Sequence, residues 1–194
     1  MHVITSGTPA IARANVATMR VIGGIAKGRT LRAPTGRTTR PTSDAVREAI
    51  FNVLTSAAID LDGAAVADLF AGSGALGIEA LSRGASHCTF VESDPKAIAV
   101  IEANLATIGF AKQATIARRD VERWLRINSS PFEVVFADPP YAFEGWETLG
   151  ARLDAAIVVA ESDREVDLGP AWQILRVKWY GSTVVTLFTP REFT

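Results

Sequence analysis

Sulfur and imidazole are scarce in this chain. Its 194 residues include one cysteine, Cys88, and two histidines, His2 and His87. One thiol excludes an intrachain disulfide and a zinc site built on several cysteines. Two imidazoles make a histidine-rich metal centre an equally poor fit, so no metal is expected. Cys88 falls inside an apolar run and reads as core filler. Long hydrophobic runs are missing too. The longest are a few residues, against the roughly 20 that a membrane helix needs, so no membrane partner is expected. The amino-terminal stretch holds no apolar block of roughly 7–15 residues, and Arg13 interrupts it, so no secretory signal is expected. These absences point to the cytoplasm.

Acidic residues are rare in one part of the chain. Residues 1–52 carry eight basic side chains (Arg13, Arg20, Lys27, Arg29, Arg32, Arg37, Arg40, Arg47) and two acids, Asp44 and Glu48. The other 142 residues carry twelve basic and nineteen acidic ones, so the net charge of −1 hides a strong asymmetry. Such a basic stretch is either a solvated face or the footprint of a polyanion, since neutralising phosphate takes clustered Lys and Arg. Arg29, Arg32, Arg37 and Arg40 are assigned to RNA contact. Thr42 and Arg47 are candidates for that role or for the mouth of a site, and Arg47 on a helix would equally pair with a neighbour.

With 48% apolar and 21% charged residues, the chain can bury a core in one domain with a small appendage. Residues 1–18 lack a clear period and read as a flexible leader. MRVIGGIAKGRTLRAP, from Met19, holds two short β-like runs around glycines, consistent with a small hairpin. Pro41-Thr42-Ser43-Asp44 looks like a helix start, and Val46, Ile50, Phe51, Val53 and Leu54 recur at helical spacing. From residue 64 strands and helices alternate: strands at 64–70, 86–92, 113–119, 132–138 and 155–161, helices between them. That order implies a mostly parallel sheet covered on both faces. Residues 172–190 read as two strands joined at Gly181, an antiparallel hairpin at one sheet edge. Its Trp172 and Trp179 read as core aromatics.

ADLFAGSGALGIE puts Gly72, Gly74 and Gly77 in a G-x-G-x-x-G turn between a strand and a helix. Glycine there permits positive φ and close approach to a ligand. Ligands of open α/β sheets bind at that end of the strands. Glu92 ends the next strand, where its carboxylate suits the two hydroxyls of a ribose. A dinucleotide brings a pyrophosphate, which wants free amide donors. S-adenosylmethionine brings an ammonium, a carboxylate and a sulfonium instead. Acids at Asp68, Glu92 and Asp138 fit the phosphate-free cation better. Asp120 meets the adenine amino group, with Val121 against the ring, or is only a helix cap.

The run DLFAGSGALGIEAL, then VESD, then DPPY after the fourth strand resembles the class I S-adenosylmethionine-dependent methyltransferases, with a Rossmann-like seven-stranded sheet. DPPY resembles the signature of enzymes that methylate exocyclic amines of nucleic-acid bases. RVIGGIAKGRTLRAP followed by TRPTSDAVREAIFNVL is similar to the amino-terminal module of the RsmD-type 16S rRNA guanine-N2 methyltransferases. The likeness runs from about Arg20 to Arg191 and weakens after Tyr141. It implies S-adenosylmethionine at Asp68, Phe70, Ala71, Gly72, Ser73, Gly74, Gly77, Glu92, Ser93, Asp120 and Val121, leaving as S-adenosylhomocysteine. It implies a guanine of 16S rRNA in the 30S subunit, or in its assembly intermediate, as substrate. A monomer is expected, with residues 19–56 as a basic extension and 57–194 as the methyltransferase domain.

The tetrapeptide Asp138-Pro139-Pro140-Tyr141 has a chemistry of its own and supplies the catalytic candidates. An exocyclic amine is a poor nucleophile because its lone pair is delocalised into the ring. Two acceptors aimed at its N–H groups, the Asp138 carboxylate and the Pro139 carbonyl, favour the tetrahedral nitrogen that attacks. Prolines stiffen the turn and bring no competing donor. Tyr141 offers a flat face to a base taken out of its stack. An ionised carboxylate accepts both N1–H and N2–H of guanine, which tilts the choice toward guanine. Adenine-N6 methylation, a nucleotide-dependent RNA-binding module without catalysis and an NAD-dependent oxidoreductase remain as alternatives.

Overall fold

The computed structural model describes residues 18–33, 44–128 and 130–192. Arg37, Arg40, Thr42 and the leader as far as residue 17 lie outside the described residues. Two short antiparallel strands, β1 (Thr18–Arg20) and β2 (Thr30–Arg32), form the expected small hairpin. Thr18, grouped above with the leader, opens β1. Helix α1 (Asp44–Ser56) follows, burying Ile50, Phe51, Val53 and Leu54 on one face.

The main sheet begins with β3 (Ala65–Leu69), and α2 (Ala75–Ser82) leads to β4 (His87–Glu92). Next come α3 (Pro95–Ile108), β5 (Ala114–Arg118), α4 (Val121–Leu125) and β6 (Phe132–Ala137). Helix α5 (Trp146–Gly150), β7 (Ala155–Ser162), β8 (Trp172–Tyr180) and β9 (Thr183–Pro190) complete the chain. The strand order is β5-β4-β3-β6-β7-β9-β8. Strands β3 to β7 pair in parallel, and β9 runs antiparallel to both β7 and β8. The alternation implied the mostly parallel sheet, and the resemblance implied this Rossmann-like class I methyltransferase arrangement. Among the described residues no helix is long and apolar enough to cross a membrane.

Central strands are apolar on both faces because helices cover both. Val66, Phe90 and Phe136 pack in one layer with α1, α2, α3 and the β1–β2 hairpin. Ala67, Leu69, Val135 and Ala137 pack in the other with Trp124 of α4 and Trp146 of α5. Cys88 is buried in the first layer. The helix expected between the strands at 132–138 and 155–161 shrinks to five residues. Its start is taken by a turn in which Phe143 N–H donates to the Pro140 carbonyl at 2.8 Å. The two hairpin tryptophans part company. Trp172 is buried, and its indole N–H donates to the Gly150 carbonyl at 2.9 Å. Trp179 is 56% exposed, a correction that follows from β8 being the edge strand with little packed over it.

The amino-terminal hairpin is fastened to the sheet domain by side chains of α2 and α3. Fully buried Glu79 accepts from the backbone N–H groups of Ile22 (2.8 Å) and Gly23 (2.7 Å). Ser82 accepts from Ala26 N–H at 2.9 Å and donates to the Gly23 carbonyl at 2.6 Å. Asn104 brackets Arg32, accepting its N–H at 2.8 Å and donating to its carbonyl at 3.0 Å. The same Asn104 amide donates to the carbonyl of Ser73, in the glycine turn, at 3.0 Å. Buried polar groups of this kind are costly unless paired, and here pairing is what orients the hairpin.

Candidate active site

Strands β3 and β6 are neighbours in space but not in sequence, which makes their carboxyl ends the switch point of the sheet. The register pairs Leu69 with Ala137. The glycine turn leaves β3 one residue on, and Asp138-Pro139-Pro140-Tyr141 leaves β6 beside it. Both loops line one cavity of about 440 Å³. Asp68, Phe70, Ala71, Gly72, Ser73, Glu92, Ser93, Asp120, Val121, Asp138, Pro139, Pro140 and Tyr141 all contribute to its wall.

Phe70 turns the chain out of β3 at φ 58°, a left-handed conformation that costs a side-chain-bearing residue about 1–2 kcal/mol. Its ring meets Phe143 edge-on, centroids 5.2 Å apart, and Phe143 meets Trp146 at 5.4 Å. The cofactor-side turn and the loop after β6 therefore share an aromatic brace. Arg164 adds a second one: its guanidinium donates to the carbonyls of Tyr141 and Phe143, each at 2.9 Å.

Glu92 holds the turn from the β4 side. One carboxylate oxygen accepts Gly72 N–H at 2.8 Å, the other Ser93 N–H at 2.7 Å and Asp94 N–H at 2.9 Å. A carboxylate has about four acceptor positions, so capacity for a ribose hydroxyl is left. Asp120 caps α4 by accepting Arg123 N–H at 3.1 Å, as the cap reading has it, and also lines the cavity. Asp68 is buried and accepts Gly77 N–H at 2.9 Å. Burial drives its carboxyl well above the usual carboxylate range; the Gly77 N–H opposes this, and the charges of Asp138 and Glu92 push it further up. A cation beside that carboxyl would favour its ionised form, whereas a phosphate would add negative charge next to Glu92 and Asp138.

Two cofactor candidates stay off the cavity wall. Gly74 caps α2 in a left-handed conformation, φ 76°. A Cβ on Gly77 would lie 2.4 Å from the Phe90 ring and 2.5 Å from Cys88 Sγ, so Gly77 lets α2 pack closely on β4. Arg29 and Arg32 are exposed on the hairpin, where a phosphate can reach them. Arg47 corrects the RNA assignment made for it. It is fully buried, paired with Asp44 at 2.9 Å, 3.9 Å from Glu79 and hydrogen-bonded to the Arg20 carbonyl. Its apolar surroundings and fixed partners leave no face for a phosphate.

The cavity also takes residues that the sequence reading passed over. Met19 and Val46 reach it from the amino-terminal module, and Glu161 and Tyr180–Thr183 from the far side of the sheet. Glu161 carried a signal: like Glu92 it is an acid at the carboxyl end of an apolar strand, where ligands bind. Met19 and Val46 carried none, because their place depends on how the hairpin and α1 dock.

Residues 19–189 match the family described as Conserved hypothetical protein 95. The chain belongs to that family. The Bacillus subtilis protein YlbH is 43% identical over 186 residues, 89% of this chain and all of that one. The Escherichia coli K12 protein named Ribosomal RNA small subunit methyltransferase D is 37% identical over 180 residues, 88% of this chain and 89% of that one. The solved structure of yhhF from Escherichia coli superposes with a TM-score of 0.78 at 34% identity, covering 90% of this chain and 98% of that one. The resemblance drawn from the glycine turn, DPPY and the amino-terminal module thus has its counterpart in the Conserved hypothetical protein 95 match and in relatives over almost the whole length.

Proposed function

We propose that this chain transfers the methyl group of S-adenosylmethionine to the N2 amine of a guanine in 16S rRNA of the small ribosomal subunit. The observation that carries this reading is the β3–β6 register, which sets the glycine turn and Asp138–Tyr141 on one cavity. A relative named for methylation of small-subunit rRNA, matched over 88% of this chain, supports it. When bound, the cofactor supplies an electrophilic methyl on a sulfonium. Asp68 faces its cationic end, Glu92 takes a ribose hydroxyl, and Asp120 with Val121 takes adenine. Asp138 and the Pro139 carbonyl hold the base amine by its N–H groups and favour the tetrahedral nitrogen. Tyr141, 38% exposed at the mouth, gives the extruded base a flat face. Exposed Arg29 and Arg32 hold phosphates and set position rather than sequence preference. The enzyme acts as a cytoplasmic monomer on the 30S particle or its assembly intermediate.

The test is product analysis. 30S particles from a strain lacking the activity are incubated with wild type or Asp138→Ala, and the nucleosides are read by mass spectrometry. N2-methylguanosine with wild type, and its loss in Asp138→Ala, is the expected result. N6-methyladenosine would overturn the guanine assignment, and an unchanged product with Asp138→Ala the catalytic role.

A further inference from the structure

A single carboxylate at Asp138 can take both N1–H and N2–H, as expected from the sequence; with Asp138 and the Pro139 carbonyl both holding the amine, as in the proposed chemistry, N1–H calls for a further acceptor. Strand β7 supplies one. The β6–β7 register pairs Phe136 with Val159 and Ala137 with Ala160, so Glu161 is the next residue along, beside Asp138. Phe136 and Val159 pack in the same core layer, and strand alternation therefore puts Asp138 and Glu161 on one face. Glu161 is only 5% exposed, yet it lines the cavity with Ser182 and Thr183 of the β8–β9 turn. The cofactor turn lies on the β3 side of Asp138 and Glu161 on the β7 side. Asp138 and Glu161 thus stand side by side on the cavity wall, so a base whose amine sits at Asp138 can present its next ring position to Glu161.

On guanine the position beside the N2 amine is N1–H, a donor. On a purine that lacks that proton it is a lone pair. An ionised carboxylate accepts and never donates, so it welcomes the first and repels the second. Burial amplifies the difference, because water cannot rescue a mismatched polar pair there. We propose that Glu161 is the specificity-determining acceptor of the N1–H of the target guanine. This rests on the guanine-N2 reading given above.

The test uses 30S particles rebuilt with 2-aminopurine in place of the methylated guanine, which keeps the amine and replaces N1–H by a lone pair. Wild type prefers the guanine particle in kcat/KM by tenfold or more, on the order expected for one well-placed base contact. Glu161→Gln, whose amide can donate to N1, narrows that preference by about tenfold while S-adenosylhomocysteine affinity by calorimetry stays at the wild-type value. Equal rates of wild type on the two particles overturn the inference without any variant. A Gln variant that folds, binds S-adenosylhomocysteine and keeps the full preference also overturns it. Failure of wild type to make N2-methylguanosine on the guanine particle overturns the parent reading and the inference with it. Methylation of guanine with no preference overturns the inference alone.

Discussion

Substituting alanine for Gly24 should release the amino-terminal hairpin from the sheet domain. Gly24 has φ +71°, and a Cβ there would lie 1.7 Å from the Ser82 carbonyl oxygen and 2.2 Å from its carbon. Backbone atoms of a packed helix cannot yield by that much, so the hairpin must move. Three hydrogen bonds go with it: Ile25 N–H to the Ser82 carbonyl (2.7 Å), Ala26 N–H to Ser82 Oγ (2.9 Å) and Ser82 Oγ to the Gly23 carbonyl (2.6 Å). At about 0.5–1.5 kcal/mol each, these amount to about 2–4 kcal/mol. The left-handed backbone adds about 1–2 kcal/mol. Gly28 is the internal control: its φ is +81°, but nothing lies within 4 Å of its missing Cβ. Gly28→Ala should cost only the backbone part, a fall in Tm of about 2–8 °C for a chain of this size, and Gly24→Ala about 6–24 °C. If docking is worth less than the clash, the hairpin lets go while the sheet survives. Trypsin then cuts after Lys27 and Arg29 far faster than in Gly28→Ala. Equal losses of Tm and equal cutting rates in the two variants would refute the argument.

The carboxyl of Asp68 gives a pH prediction. Because its folded value lies well above 3.8, the folded chain holds more protons than the unfolded one between those two values, and stability falls as pH rises through that window. A cation favours the ionised form, so S-adenosylmethionine affinity measured by calorimetry should rise with pH above the ordinary carboxylate range in wild type and stay flat and weaker in Asp68→Asn. A flat wild-type profile would count against the cation-facing role. Arg47→Met should lower stability by about 3 kcal/mol, because it leaves buried Glu79 with the partly exposed Arg83 as its cationic partner, whereas Arg32→Met should leave Tm unchanged and raise the KM for 30S particles. The reverse pattern would restore Arg47 to the RNA-facing set.

Local patterns made most of the sheet legible. Runs such as FEVVFA and AAIVVAES are apolar enough to be strands buried on both faces, and the β–α alternation fixes their parallel order. The glycine turn and the tetrapeptide were legible because each is a continuous stretch. What sequence could not supply was what depends on docking. Arg47 looks like any arginine in a basic segment until α1 buries it against Glu79. Trp179 resembles Trp172 until the sheet order leaves β8 at the edge. Met19 becomes a cavity residue only because Glu79, Ser82 and Asn104 hold the hairpin in place, and Val46 only because α1 packs on the sheet.

Those three anchors also set an order of events during synthesis. The backbone groups they grip are 56 to 72 residues earlier in the chain. At about 5–20 residues per second, the hairpin emerges roughly 3–14 s before its last partner has been made. Until then Ile22, Gly23 and Arg32 have only water to bond, and the hairpin carrying Arg29 and Arg32 has nothing to lie on. The basic arm is thus made before its anchors and set in place after them. A chain interrupted before α3 would expose basic residues without a docked hairpin to arrange them.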